Sequence, residues 1–514
     1  MTARTNRTAE LATGLLLLAV SVLWLARWPS FPLILDPYYH LLIAREVAQA
    51  HGPILYDWWQ YAPIGRPHVY PPVLHIALAG ALRLGMGSIA LLRVVSVVIV
   101  PALLAMLVCA TRRLFGGEAA LACLVAALLP FVWLPHAAIA WAASLAMIEM
   151  LWMFVMVEQG SWLAAGLLLA LMFYTHLGLP WVALATMLGY AAVRPSVRST
   201  VARALWGVVL AVPWLAHLAR HAAAIHPTWR FENETVELYP VLYALAVGGA
   251  WRAIRSLPAA RAWLICAIVS SLLTARFLYR WLNGEGLLAI VVLAGLGLEG
   301  MLRWSTAHAA SRAGRWLVVV GTALALLAAP TVHCSPTGRR VVWPDAGLLH
   351  LLPWPKTLPS VLEGSFVAPP TERVAREVAS VTQPGEILWS NAPYAVGLIA
   401  ALANRAVSSA MFAEVGPSRG FDPIGAAHLV VWIKMDPLPG QPPLNQLIQR
   451  YGLSVVGETD LAVLLRNPRA DALAAQPRAA IPFWLASVLL WGFLGLIIWT
   501  GRQQRQQKDP VWER

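Results

Sequence analysis

Long apolar segments separated by short arginine-bearing loops recur from about residue 10 to residue 333, and once more at residues 481–500. Because a bilayer offers no hydrogen-bond partners to the backbone, such segments can cross it only as helices or closed β-barrels. Hydrophobic residues make up 59% of the chain and charged residues 12%, with a mean hydropathy of +0.64. These values are typical of a polytopic helical membrane protein and exclude an ordinary soluble domain.

The positions of the arginines predict how the spans are oriented. With the arginine-rich short loops placed in the cytoplasm, the pattern predicts about twelve spans, with the N terminus and the basic C-terminal tail inside. Residues 1–333 then form a multi-span domain with external loops at 28–87 and 220–239, and residues 481–514 supply the last span and the tail. The apolar run at 11–25 has no small-residue cleavage site before Asp36, so we expect an uncleaved first span.

Residues 334–480 break this pattern, because they are rich in proline, glycine and charge. Their periodicity predicts a helix at 372–381 and strands at 386–389, 428–434 and 453–465, the last broken by a polar turn at 458–460. We therefore predict a small external α/β domain of roughly 145 residues. The predicted fold class is mainly α: a polytopic helical membrane domain with this α/β domain outside the membrane.

The net charge of +13 arises mostly from arginines at the ends of the apolar segments. This distribution indicates cytoplasmic loops and not a nucleic-acid partner. The four cysteines form no CxxC pair, so the sequence predicts neither a disulfide framework nor a zinc site. Few cysteines and an alanine-, arginine- and leucine-rich composition indicate the inner membrane of a prokaryote.

The motif at residues 36–40, Asp-Pro-Tyr-Tyr-His, places a carboxylate at the outer face just after the first span. Asp36 before Pro37 suits the start of a helix running to about residue 50, as an N-cap with proline in the first helical position. A carboxylate at this place can also bind a divalent metal or take a proton from an acceptor. Both interpretations stay open on the local sequence.

The loop that follows is aromatic and rich in proline. Its Trp and Tyr side chains are either interfacial anchors or surfaces on which a sugar or polyprenol would stack. His40, one helical turn from Asp36, and then Arg66 and Tyr70 are the candidate substrate-binding residues of this loop.

Two further external segments hold charged residues that could bind an ion or a phosphate. Residues 232–237 hold three carboxylates, the last of them Glu237, and form either a solvated loop or a negative field that could hold a cation. Arg276 and Arg280 lie one helical turn apart and suit a phosphate or diphosphate, although snorkelling to the membrane interface would also explain them.

The first external loop resembles that of the catalytic subunit of oligosaccharyltransferase, most nearly the archaeal type. The resemblance is carried by residues 36–40, 56–57, 61–66 and 70–72. That family belongs to the GT-C class of membrane glycosyltransferases. Its members move a glycan from a polyprenyl phosphate or diphosphate carrier onto protein asparagine, at the outer or lumenal face of the membrane.

The resemblance implies roles for individual residues. Asp36 matches the family's catalytic and metal-binding aspartate of the first loop, and Glu237 resembles the glutamate of its late external loop. A divalent metal, Mg or Mn, is therefore expected at these two carboxylates. Arg276 resembles the arginine that meets the carrier phosphate, and Arg280 lies beside it.

Two motifs of that family are absent. Its second external loop carries an acidic metal motif, whereas residues 136–144 contain no carboxylate, and its external domain carries Trp-Trp-Asp-Tyr-Gly, which residues 388–394 lack. We expect a membrane glycosyltransferase with a polyprenyl-linked sugar donor and a protein or glycan acceptor. The alternative is a non-catalytic relative that binds a lipid-linked glycan in envelope assembly. A transporter is disfavoured, because no pair of interrupted spans is present.

Overall fold

The computed structural model describes residues 3–33, 36–225, 235–275, 277–352, 369–411, 415–417, 419–434 and 442–508. Helices dominate this part of the chain. In chain order they are α1 (Ala3–Leu25), α2 (Asp36–Ala50), α3 (Val73–Arg83), α4 (Ser88–Phe115), α5 (Gly117–Ala127), α6 (Trp133–Ile139), α7 (Trp141–Glu158), α8 (Trp162–Thr175), α9 (Leu179–Val193), α10 (Pro195–Ala204), α11 (Trp206–Arg220), α12 (Pro240–Arg255), α13 (Arg261–Leu273), α14 (Leu278–Leu282), α15 (Leu287–His308), α16 (Arg312–Leu327), α17 (Gly347–Leu351), α18 (Pro369–Val381), α19 (Pro393–Ala403), α20 (Leu444–Tyr451) and α21 (Phe483–Lys508).

The strands form three separate sheets. They are β1 (Tyr56–Asp57), β2 (Arg66–Pro67), β3 (Val236–Leu238), β4 (Thr331–Ser335), β5 (Gly338–Val342), β6 (Ile387–Ser390), β7 (Ala406–Val407), β8 (Leu429–Ile433), β9 (Ser454–Glu458) and β10 (Ala462–Arg466).

Several helices are long and apolar enough to cross a membrane, which indicates a membrane protein. Within the described residues, length and composition select five segments: Arg7–Leu25, Ser88–Phe115, Trp141–Glu158, Leu278–His308 and Phe483–Thr500. The bent pair α10 and α11, at 41°, would make a sixth. Five further apolar helices have 10–17 residues, which is short for a bilayer that needs about 20. The count of about twelve spans stays a prediction.

Helices α12 and α15 pack unusually closely through glycines. A Cβ atom added at Gly249 would overlap the carbonyl of Leu293, and one added at Gly297 would overlap the carbonyl of Leu245. Small residues let helix backbones approach in this way within a membrane. The contact fixes α12, which follows directly after the strand β3 that carries Glu237.

We expect Gly249→Ala to destabilise the protein by about 1–3 kcal/mol, because the backbones of α12 and α15 must move apart to admit the methyl group. The measurement is thermal unfolding of the purified chain in detergent. Gly321→Ala is the matched control, since Gly321 lies in α16 with no atom within 4 Å of an added Cβ. Equal stability of the two variants would contradict this packing.

The C-terminal part contains a five-stranded mixed sheet with strand order β7-β6-β8-β10-β9. Strand β6 is parallel to β7 and β8, whereas β10 is antiparallel to β8 and β9. The predicted helix at 372–381 is confirmed as α18. The predicted strands at 386–389, 428–434 and 453–465 are confirmed as β6, β8 and the β9–β10 hairpin. The external position of this sheet stays a prediction.

The sheet, its helices and the first loop share one apolar core. Buried side chains of α18 and α19 (Val374 and Ile399) meet those of the sheet (Leu388 and Val431) and of α2 (Leu42). The first loop also bonds to the edge of the sheet, since Ala62 N donates to Val407 O at 2.9 Å and Val407 N to Trp59 O at 2.7 Å. The sheet therefore holds α2, and with it Asp36, in position.

A three-stranded antiparallel sheet, β3-β4-β5, lies elsewhere in the chain. It pairs Glu237 with His333 and Val236 with Cys334. Residue 334, the predicted start of the external domain, therefore lies inside a strand that belongs with the loop carrying Glu237. The five-stranded sheet begins only at Ile387.

Candidate active site

Asp36 lies in the first turn of α2 and is half-buried. Its carboxylate acts electrostatically on the hydroxyl groups of Tyr70 and Tyr279. Burial, and then this carboxylate, raise the pKa of the Tyr70 hydroxyl, so Tyr70 stays protonated and can donate a hydrogen bond. The guanidinium of Arg280 acts on the same two tyrosines. The structure thus brings the predicted residues Asp36, Tyr70 and Arg280 together.

Arg280 is held by a buried carboxylate. Its Nη1 is 3.2 Å from Oε1 of Glu285, and the Arg280 side chain is 48% exposed whereas that of Glu285 is 9% exposed. A buried carboxylate next to a half-exposed guanidinium fixes the arginine without removing it from solvent. Arg280 can therefore meet an anion that arrives from outside.

Two histidines complete the surroundings of Glu285. His176 Nδ1 accepts hydrogen bonds from Gly178 N at 3.1 Å and Leu179 N at 3.0 Å, so the ring proton lies on Nε2, which is 3.8 Å from Glu285 Oε1. Burial lowers the pKa of His176 to about 4 against the opposing effect of Glu285. His176 is thus a neutral donor at neutral pH.

His136 lies where the related family carries its acidic motif. Its Nδ1 is 3.3 Å from the hydroxyl oxygen of Tyr279, and within the described residues its buried Nε2 has no hydrogen-bond partner. Burial lowers the pKa of His136 despite the nearby Glu285. Sequence reasoning missed His136, His176 and Glu285 as site residues. Each is a polar residue at the end of an apolar segment, and that position is the signal that could have identified it.

Glu237 flanks the site from β3. The amide of Asn283 fixes its backbone, because Asn283 Oδ1 accepts from Glu237 N and Asn283 Nδ2 donates to Glu237 O, both at 3.2 Å. Burial, together with the nearby Asp345, raises the pKa of the Glu237 carboxyl to about 7. Glu237 acts electrostatically on Tyr279, so Tyr279 is the group that links Glu237 to Asp36.

The described residues do not fit a divalent metal. They contain no group of three or more His, Cys, Asp or Glu side chains that could hold an ion. The ring of His333 lies between the carboxylates of Glu237 and Asp345. Its Nδ1 is 3.8 Å from Glu237 Oε1, and its Nε2 is 3.5 Å from Asp345 Oδ2. A metal needs ligands that converge on one point. Mg or Mn at Asp36 and Glu237 stays a prediction, and no step below uses a metal.

Arg66, predicted to bind substrate, is a buried member of an ion pair. Its side chain is 5% exposed and its Nε lies 3.2 Å from Oδ2 of Asp57, and substrate binding by Arg66 stays a prediction. Its Nη1 donates to Val415 O at 3.1 Å. The guanidinium is therefore occupied in holding the first loop against the C-terminal part, which is a structural role.

His40, also predicted to bind substrate, is buried at 2% exposure. Its Nδ1 is 3.0 Å from His75 Nε2, and its ring stacks on Trp141 with centroids 6.0 Å apart. The same ring meets Tyr70 edge-on at 5.2 Å. His40 thus helps to position Tyr70, and a contact between His40 and substrate stays a prediction.

Acid is expected to destabilise the folded protein through its buried histidines His40 and His68. Burial lowers the pKa of His40 to about 3 and that of His68 to about 4, whereas an unfolded chain binds these protons near pH 6.5. The unfolded state therefore takes up protons first, so the stabilising contribution is complete above pH 6.5 and is lost as the pH falls through 4 toward 3. Thermal unfolding of the wild type and of His40→Gln/His68→Gln between pH 7 and 4 measures this. An equal pH dependence in both proteins would contradict it.

Arg276, predicted to meet the donor phosphate, lies outside the described residues, as do residues 232–234 of the acidic run. The structure describes the other predicted site residues, Asp36, His40, Arg66, Tyr70, Glu237 and Arg280, of which His40 and Arg66 are buried.

Solved structures of GT-C membrane glycosyltransferases share this fold. ArnT from Cupriavidus metallidurans, in the apo state, matches with a TM-score of 0.55 and 17% identity, over 89% of this chain and 98% of ArnT. The oligosaccharyltransferase of Archaeoglobus fulgidus, crystallised with Zn and sulfate, matches with a TM-score of 0.54 and 13% identity, over 81% of this chain and 67% of the other. The predicted resemblance is thereby confirmed as a shared fold.

A third structure is AglB, an oligosaccharyltransferase from Archaeoglobus fulgidus, in complex with an inhibitory peptide and a dolichol-phosphate. It matches with a TM-score of 0.51 and 12% identity, over 81% of this chain and 69% of AglB. By sequence alone, neither a protein-family profile nor a curated protein matches the chain.

Proposed function

We propose that this protein is a glycosyltransferase that moves a sugar or oligosaccharide from a polyprenyl phosphate or diphosphate carrier to an acceptor at the outer face of the membrane. One observation carries the proposal: Arg280, half-exposed and held at 3.2 Å by the buried Glu285, acts together with Asp36 on the same pair of tyrosines, Tyr70 and Tyr279. A shared fold with GT-C enzymes supports the pairing of a base with a phosphate-binding cation. The dolichol-phosphate bound by AglB supports a lipid phosphate as the donor.

The proposed reaction follows from the charges. The acceptor's nucleophilic atom attacks the anomeric carbon of the donor while the bond from that carbon to the phosphate oxygen breaks. Asp36 takes the acceptor's proton, and Arg280 stabilises the negative charge that develops on the departing phosphate. Protonated Tyr70 can donate a further hydrogen bond to that phosphate.

Glu237, which acts electrostatically on Tyr279, would supply the second carboxyl group of the site. A carboxyl group with a pKa of about 7 can accept or donate a proton near neutral pH. Arg276 would add a second guanidinium for the carrier phosphate, as the resemblance implies. We place the site in a prokaryotic inner membrane, with both termini in the cytoplasm and residues 334–480 outside.

A non-catalytic role is the second candidate, because residues 136–144 supply His136 where the related family has carboxylates. In that case the protein would bind a lipid-linked glycan for an envelope assembly system. The acceptor of the catalytic reaction, protein or glycan, is left to experiment.

The test compares lipid-linked and transferred glycans in cells that lack the protein and in cells that carry it. We expect the deletion to accumulate a polyprenyl-linked glycan by several-fold and the wild-type chain to clear it. The glycoconjugate lost in the deletion identifies the acceptor. An unchanged pool of every polyprenyl-linked glycan would refute the transferase proposal.

A further inference from the structure

An open cleft of about 500 Å³ lies between the C-terminal ends of α2 and α3 and the start of α4. Its polar lining includes Arg45, Arg83, Ser88 and Asn404. Asn404 follows directly after α19, so the α/β part of the chain closes one side. None of these residues belongs to the candidate active site.

The cleft carries two positive charges without an acidic partner. Arg45 donates to Ser88 Oγ at 2.6 Å and to Leu402 O at 3.3 Å, both of them neutral acceptors. Burial, and then the nearby Arg405, lower the pKa of Arg45 to about 10, which leaves it charged at neutral pH. Across the described ranges, neither Arg45 nor Arg83 forms an ion pair with a carboxylate. Buried charges are ordinarily paired.

Two candidate membrane spans begin beside the cleft and indicate where it lies relative to the bilayer. Ser88, in its lining, is the first residue of the span Ser88–Phe115, and the ring of Phe483 begins the span Phe483–Thr500. The guanidinium of Arg83 lies 4.9 Å from the centroid of that ring. Because both spans start here, the cleft is level with the membrane interface, where lipid phosphates lie.

Exposed apolar side chains continue from the cleft toward the lipid. Leu84, directly after α3, is 90% exposed, and Trp484, next to Phe483, is 66% exposed. Tryptophan at this depth is typical of the membrane interface. The basic lining at Arg83 is therefore flanked by exposed apolar side chains.

We propose that this cleft binds the phosphate of an anionic phospholipid headgroup, held by Arg45 and Arg83. The planar guanidinium suits phosphate oxygens better than an ammonium does. Leu84 and Trp484 would lie against the acyl chains of the same lipid. The site is independent of glycosyl transfer, so its failure leaves the proposed function untouched.

Native mass spectrometry of the purified full chain, offered phosphatidylglycerol or phosphatidylcholine, tests the proposal. We expect Arg83→Gln to bind phosphatidylglycerol about five-fold more weakly than the wild type, a difference of about 1 kcal/mol. Arg83 is exposed, so its loss leaves no buried group without a partner. Arg45→Lys keeps the positive charge but loses the planar guanidinium. Its affinity for phosphatidylglycerol should therefore lie between those of the wild type and Arg83→Gln.

Arg255→Gln is the matched control, because Arg255 is likewise an exposed arginine over an aromatic ring, 4.5 Å from the centroid of Trp251, and lies outside the cleft. It should bind phosphatidylglycerol as the wild type does. Equal binding of phosphatidylglycerol by the wild type, Arg83→Gln and Arg255→Gln would overturn the proposal. Binding of phosphatidylcholine as tight as that of phosphatidylglycerol would also overturn it. Displacement of the lipid by millimolar inorganic phosphate would instead assign the cleft to a free anion and would also overturn it.

Discussion

Replacing Asp36 with Asn is expected to reduce glycan transfer by about 10²–10⁴-fold, the usual contribution of a positioned general base. Asn and Asp cap helices about equally well, so α2 should keep its start and the protein should reach the membrane in normal amount. The substitution removes the charge that acts on Tyr70 and Tyr279 and removes the proton acceptor. The measurement is clearance of the accumulated lipid-linked glycan in deletion cells.

This variant separates the two interpretations of Asp36 that the local sequence leaves open. If Asp36 only caps the helix, Asn restores clearance and Ala does not. If Asp36 is the base, neither restores it, although Asn preserves thermal stability better than Ala. Glu118→Gln is the control, since Glu118 forms an ion pair with the half-exposed Arg303 at the opposite end of the helices. Full clearance by Asp36→Asn would end the catalytic interpretation of Asp36.

Asp57→Ala is expected to destabilise the protein by about 3–5 kcal/mol, as loss of one partner of a buried ion pair does. Asp57 Oδ2 accepts from Arg66 Nε at 3.2 Å and from Gln60 Nε2 at 2.8 Å, while Oδ1 accepts from Gln60 N at 2.9 Å. The substitution leaves the Arg66 guanidinium buried without its counter-charge. Equilibrium unfolding in mixed detergent micelles measures the loss.

Glu46→Gln supplies the control within the same cluster. Burial, and then the neighbouring Asp57, raise the pKa of Glu46 well above its usual range, which favours the neutral form of this carboxyl. An amide has the same shape and can still accept the hydrogen bond from Trp58 N, which is 2.7 Å long in the structure. We expect a change within about 1 kcal/mol. A loss as large as that of Asp57→Ala would show that Glu46 carries the charge instead.

Much of the fold could be predicted from local patterns. The start of α2 follows from Asp36 and Pro37, and the helix and strands of the C-terminal sheet follow from their periodicity and turn residues. The resemblance of residues 36–40 to one family led to the fold that the solved structures confirm. Candidate site residues could be found in the same way, because they stand at the ends of apolar segments.

The partners of those residues could not be predicted, because they are distant in sequence. The role of Arg66 depends on Asp57 nearby and on Val415, 349 positions away. Glu285 holds Arg280, five positions before it, and α8 and α9 bring the distant His176 to the same carboxylate. The number of spans stays a prediction, because α10 carries Arg198 and Arg203 and meets the apolar α11 at a bend of 41°.

The bonds between the first loop and the edge of the five-stranded sheet impose an order on biosynthesis. Residues 59–62 emerge from the ribosome early, but their partners at 407–409 are made only after most of the membrane helices. Until then, Gln60 lacks Met411 N, which donates to its side chain at 3.0 Å, and water must satisfy these polar groups of the first loop. Nascent chains halted before residue 407 should therefore be recognised by folding factors and proteases, even when their helices are already inserted.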